Sequence, residues 1–255
     1  MASFLDACDS EAAPHFVYAY YARAFAVPVL REFYAMLARL HRVDAVVLFD
    51  GGSDSLMAGD EEGLGDPIED QVSVASVAAL EGLRAKVLIT VGLGCDRFNH
   101  VSDAASLRAI AELTARGGFL GGIAIEPDVP PFRFYRDCLD HLDARQEFRS
   151  VLAGAIVSAG EGRFGSDAVP QRLVERVSHG EIYLWPLMPM LWAFDVEKVA
   201  ARSLMAVWIR DCNTVVDAYA AIAHGRRALG TRRHDVENLP RHEEARSRHL
   251  GFFRG

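Results

Sequence analysis

Ala45-Val46-Val47-Leu48-Phe49-Asp50-Gly51-Gly52 is the stretch from which the fold is read. Five apolar residues in a row, with no polar alternation, suit a strand buried on both faces of a sheet, and Asp-Gly-Gly ends it. A second such run, Lys86 to Val91, stops at Gly92-Leu93-Gly94, and a third extends from Phe119 to Ile125. Between the first two, Asp66-Pro67-Ile68-Glu69 supplies an N-cap residue, a proline at the first helical position and a carboxylate at the third. That capping-box arrangement opens a helix to about Leu83. Between the second and third runs, Ser102 or Asp103 can cap a helix whose Leu107, Ile110, Ala111 and Thr114 share a face before Gly117-Gly118. Strands alternating with amphipathic helices predict right-handed βαβ units. The expected class is α/β, a Rossmann-like three-layer fold with a mostly parallel sheet and a helical C-terminal part.

Upstream, Pro28 opens a helix in which Leu30, Phe33, Leu37 and Leu40 recur at helical spacing. Downstream of Pro131 the pattern turns helical, with one stripe of Phe134, Cys138 and Leu142 and another of Val151, Leu152, Ala155 and Ile156. Glu181 to Trp185 is expected to add a strand. Asp195 is placed to cap a helix running to Asp211, and Thr214, with Asp217 three residues on, to cap a last one to about Arg227. Residues 1–229 therefore form a single α/β domain. From Gly230 to Gly255 the apolar periodicity is lost, and the segment reads as a flexible or partner-ordered tail.

Half of the 255 residues are apolar, 51%, enough for one large core. A net charge of −8 disfavours a nucleic-acid backbone or an anionic membrane surface as partner, since neither meets a compensating positive field. Cys8, Cys95, Cys138 and Cys212 form no CxxC pair or zinc-ligand spacing, so a reducing, cytoplasmic setting is expected. No window reaches the roughly 18 uncharged apolar residues that span a bilayer. The expected partner is a small-molecule ligand.

Chemistry concentrates at two strand ends. In an open α/β sheet, ligands sit in the crevice outside the carboxyl ends of the strands, where Asp50 falls. Gly51, Gly52 and Ser53 let backbone approach a ligand there, and Asp50, Asp54, Asp60 and Glu61 offer oxygen ligands for a hard cation such as Mg2+, or a general base. Asp50 and Asp54 are the ligands expected if a metal is held; Asp66 and Glu69 read as helix-capping acids. The second end, Gly92-Leu93-Gly94-Cys95-Asp96-Arg97-Phe98-Asn99-His100, lies beside the first if the strands are adjacent. Gly92, Gly94, Asp96 and Asn99 then join the ligand-binding set, and His100 is the expected acid–base partner of Asp50 and Asp54. Cys95 with His100 is the alternative nucleophile and base. Gly92-Leu93-Gly94 lacks the third glycine of the dinucleotide fingerprint, so no NAD site is expected. Trp185-Pro186-Leu187-Met188-Pro189-Met190-Leu191-Trp192-Ala193-Phe194-Asp195 is expected to fill the core or a homodimer surface, with a ligand-pocket wall as the alternative.

The chain resembles the domain-of-unknown-function 1152 family at DGGSDSLMAGDEEGLGDPIED, VGLGCDRFNHVSDA, GGFLGG, GRFG and WPLMPMLWAFDVEKVA. The resemblance implies a Rossmann-like fold without an assigned reaction, and it draws attention to Asp50, Gly51, Gly52, Asp54, Gly59, Asp60, Glu61, Gly65 and Asp70. Members often begin with a glycine-rich strand-loop-helix unit that has no equivalent before His15. The family's second motif does not require cysteine at position 95. The functional expectation is a small-molecule enzyme of hydrolase, lyase or transferase type; the alternative is a non-catalytic nucleotide- or metabolite-binding regulatory module.

Overall fold

The computed structural model describes residues 2–8, 17–21, 24–145, 149–166, 168–170 and 182–231. In chain order the elements are α1 (Ala2–Cys8), α2 (Val27–His41), β1 (Ala45–Asp50), α3 (Pro67–Ala78), β2 (Ala85–Thr90), α4 (Asp103–Ala115), β3 (Phe119–Ala124), α5 (Pro130–Asp143), α6 (Val151–Gly160), β4 (Met190–Asp195), α7 (Val196–Arg202), α8 (Leu204–Ile209) and α9 (Val215–Leu229). The starts follow the expected caps, except that Glu69 does not close a box on α3, whose Asp66 amide donates to Asp54 instead. Ser102 accepts from the Ala105 amide at 3.0 Å, Asp195 from Glu197 and Lys198, and Thr214 and Asp217 bond reciprocally. The helix expected from Asp195 to Asp211 is instead two. Ser203, buried, ends α7 and caps α8 through the Ala206 amide, because its hydroxyl also donates to Gln71 Oε1 at 2.6 Å.

The first strand-helix-strand unit forms, with β1 and β2 paired in parallel, Asp50 beside Thr90, across α3, although that helix ends at Ala78 rather than near Leu83. The mostly parallel sheet does not. The order is β1-β2-β4-β3, and β4 pairs antiparallel with both of its neighbours, so two of the three pairings are antiparallel. Side-chain size accounts for the exchange. Met190-Leu191-Trp192-Ala193-Phe194 brings large side chains to the centre of the sheet, Phe194 fully buried and the others half-buried. Phe119-Leu120-Gly121-Gly122 has little to bury and a register slip between Phe119 and Gly121, and it takes the edge. The expected strand at Glu181 to Trp185 reduces to a single bridge between Leu184 and Gly165; Glu181 lies outside the described residues, as does the tail beyond Thr231.

The main core lies on one face of the sheet. Leu88 and Phe194 meet Val27 and Leu30 of α2, Ile68 and Val72 of α3, Ala109 and Leu113 of α4, Val199 of α7, Ile209 of α8 and Ile222 of α9. A second core joins Val91 and Cys95, just past β2, to Val151, Ala155 and Ile156 of α6. Trp185 and Trp192 are partly buried against these cores, and the Trp192 indole nitrogen is enclosed without a hydrogen-bond partner among the described residues. No described helix is long and apolar enough to cross a membrane.

If β4 anchors the core, Phe194→Ala should cost about 3–5 kcal/mol in urea unfolding, through lost burial and an unfilled cavity. Ile123→Ala, on the exposed face of β3, should cost about 0.5 kcal/mol or less.

Candidate functional site

The parallel β1–β2 pair ends in the two loops that carry the acids. Asp50 closes β1, and the chain then enters a single turn, Asp54–Leu56, that folds Asp54 back toward it. Ser55 Oγ donates to Asp50 Oδ2 at 2.5 Å, and the Asp66 amide to Asp54 Oδ2 at 3.1 Å. Asp66 caps α3 through the Ile68 and Glu69 amides, and Asp70 follows in the first turn, where the helix dipole favours negative charge. One oxygen from each of Asp50, Asp54 and Asp70 lies within 4.8 Å of the others.

From the neighbouring strand end comes Asp96, buried, accepting from the Ser53 amide at 2.6 Å and from Ser53 Oγ at 3.3 Å. Ser53 Oγ also bonds Ser106 Oγ of α4 at 2.8 Å, so α4 helps to fix the first loop. Two glycines are required by contact with the acids. A Cβ on Gly52 would overlap the Asp96 carboxylate, and one on Gly65, whose φ is +67°, would overlap that of Asp54. Gly51 faces open space apart from Leu152, and Gly92 turns at φ +87° beside Cys95 and Ile156.

Burial pushes the Asp50 carboxyl up to about 7; the neighbouring Asp54 charge adds to this and the Ser55 hydrogen bond opposes it. Burial likewise raises Asp54, against the pull of the Asp66 amide and a hydrogen bond with Asp70. Asp70 is raised well above the carboxylate range by burial and then by Asp50 and Asp54, and Asp96 by burial and then by Asp54 and Asp50. Among the described residues, none of the four pairs with a lysine or arginine; the nearby arginines are committed elsewhere. Arg97 pairs with Asp103, its guanidinium 5.7 Å from the Tyr183 ring and 5.5 Å from that of Trp185, whose indole donates to Leu93 O at 2.6 Å. Arg202 donates to Leu56 O and Glu112 and lies 3.8 Å from Glu61.

The structure thus unites Asp50, Asp54 and Asp96, expected from the sequence, and adds Asp70. It sends the others elsewhere. Glu61 accepts from the Ala58 and Gly59 amides at 2.9 and 2.8 Å and closes its own turn. With Asp60 it lines a cavity of about 140 Å³ shared with Arg108, Glu112, Arg116 and Arg202, not with the aspartate cluster. Asn99 and His100 are exposed. His100 has a left-handed backbone, φ 66°, its carbonyl lies where Gly63 leaves room, and its ring bonds to none of the four aspartates. Gly94 leaves room for the Trp185 indole. Cys95 is fully buried, and burial pushes its thiol well up, unlike the lowered thiol of a catalytic cysteine. Asp70 was reached in the sequence only through the family resemblance and was given no chemical role there, because an acid in the first turn of a helix reads as an ordinary partner of the helix dipole.

Three carboxylates this close either share protons or hold a cation. Hard divalent cations take oxygen ligands at about 2.0–2.6 Å, so ligand oxygens must approach within about 5 Å of each other, as these do. The folded-state pKa of Asp50 is raised, so the folded chain holds a proton that the unfolded chain releases. The stability this contributes is complete below pH 3.8 and is lost as the pH rises through about 7. In chelator, unfolding midpoints should therefore fall between about pH 4 and pH 7, and Asp50→Asn should flatten that fall.

The family model described as protein of unknown function (DUF1152) matches residues 27–231. No curated protein and no solved structure matches the chain.

Proposed function

We propose that this chain, which belongs to the DUF1152 family, is a small-molecule enzyme of the hydrolase, lyase or transferase kind. Its centre is the Asp50-Asp54-Asp70 cluster, holding a divalent cation such as Mg2+. The observation that carries the reading is the convergence of three carboxylates within 4.8 Å, with Asp96 behind them and no basic partner among the described residues. A divalent cation, once bound, polarises a substrate oxygen and acidifies bound water. Asp50 accepts a hydrogen bond from the Ser55 hydroxyl; its carboxyl is held up by burial in the cation-free chain and would give up its proton on serving as a ligand to the cation. Gly51, Gly52 and Ser53 carry the loop backbone past this point, and His100, exposed on the neighbouring strand's loop, is the proposed acid–base partner. A Rossmann-like frame belongs to the same proposal, supported by the parallel β1-α3-β2 unit.

The second reading is a non-catalytic nucleotide- or metabolite-binding module. It draws support from His100, whose ring is exposed and bonds to no aspartate of the cluster. Product analysis of any small molecule that raises the melting temperature separates the two readings.

Calorimetric titration with Mg2+ or Mn2+ should show one site that Asp54→Asn weakens roughly a hundredfold, with protons released on binding and weaker binding at pH 5 than at pH 8. Titration heats unchanged by Asp50→Asn, Asp54→Asn and Asp70→Asn alike would remove the cation from the proposal.

A further inference from the structure

β1 and β3 are the two edges of the sheet, and they are built differently. β3 carries the register slip and two glycines, features that discourage an edge from pairing further. β1 has no lysine, proline or bulge, and among the described residues it pairs on one side only, with β2. Val47 and Phe49, on its face away from the main core, are 56% and 60% exposed. Beside it, Tyr18, Tyr34, Leu37, His41, Val43 and Val46 line an apolar groove of about 310 Å³. An apolar edge with these flanks is a surface suited to pairing with another strand.

Charge is distributed unequally along this edge. Asp50, Asp54 and Asp70 lie at its carboxyl end. At its amino end stands Arg42, exposed and in no ion pair among the described residues. Arg42 is also held at φ 52°, ψ 44° as the C-cap of α2, its amide bonded to the Ala38 and Arg39 carbonyls. That left-handed position favours glycine, so the arginine is kept against a backbone cost.

We propose that a second copy of this chain adds its β1 antiparallel to this β1, about a two-fold axis normal to the sheet. Antiparallel order brings the arginine end of each strand to the acidic end of the other, so one surface serves as both halves of the contact. Opposed residues of an antiparallel pair share a face, which gathers Val47 and Phe49 of both copies into one apolar cluster. Arg42 of each copy then supplies positive charge beside the other's aspartates, which have none of their own among the described residues.

Sedimentation velocity of the full chain over a dilution series tests this. The expected result is a reversible monomer–dimer equilibrium, weakened roughly tenfold or more by Val47→Lys, and left unchanged by Ile123→Lys on the opposite edge. Arg42→Gly gives a second readout that misfolding cannot imitate: it should raise the melting temperature by relieving the left-handed residue, yet weaken dimerisation. A wild-type chain that stays monomeric at every concentration overturns the proposal. So does a dimer that both Val47→Lys and Arg42→Gly leave intact.

Discussion

Burial of four neighbouring carboxylates with no basic partner among the described residues is the constraint around which this structure is arranged. Two unit charges about 4 Å apart at an effective dielectric near 20 repel by about 4 kcal/mol, comparable to a large part of a domain's stability. Burial and this repulsion act in the same direction: the Asp50 carboxyl is raised first by burial and then by the Asp54 charge. The surrounding donors are neutral: the Ser55 and Ser53 hydroxyls and the Ser53 and Asp66 amides. They orient the oxygens without cancelling their charge, which suits a centre whose positive charge comes from a ligand.

Holding such a cluster requires a loop that cannot relax away from it. Arg202 braces the loop through Leu56 O, and Gln71 donates to the Ser55 and Met57 carbonyls while accepting from Ser203. Glu61 ties off the Ala58 and Gly59 amides. Buried polar groups are costly unless satisfied, so these bonds join the break between α7 and α8 to the geometry of the acidic loop. Arg97, stacked beside Tyr183 and Trp185, does the same for the loop that delivers Asp96.

Much of this was legible in the sequence. Apolar runs and caps located β1, β2, β3 and the helices between them, since those signals are local, and Asp50 and Asp54 follow from the rule that ligands gather at strand ends. The pairing of β4 was not legible. Its neighbours are set by competition among strands for the centre of the sheet, which no window of Met190 to Asp195 reports. Asp70 came into view only through the family resemblance, and its place beside Asp50 and Asp54 depends on the turn that folds Asp54 back. Glu61 and Asp60 were assigned to the same site as Asp50 because they share its loop, but the loop turns them to its other side. His100 was placed by adjacency of strand ends, and its left-handed turn leaves it on the surface.

Anomalous diffraction from crystals of the protein soaked in Mn2+ should show a single strong peak bounded by oxygens of Asp50, Asp54 and Asp70. Saturating Mn2+ that leaves Asp54 and Asp70 hydrogen-bonded to each other, with no peak between them or with the ion on other residues, would contradict a cation-holding cluster.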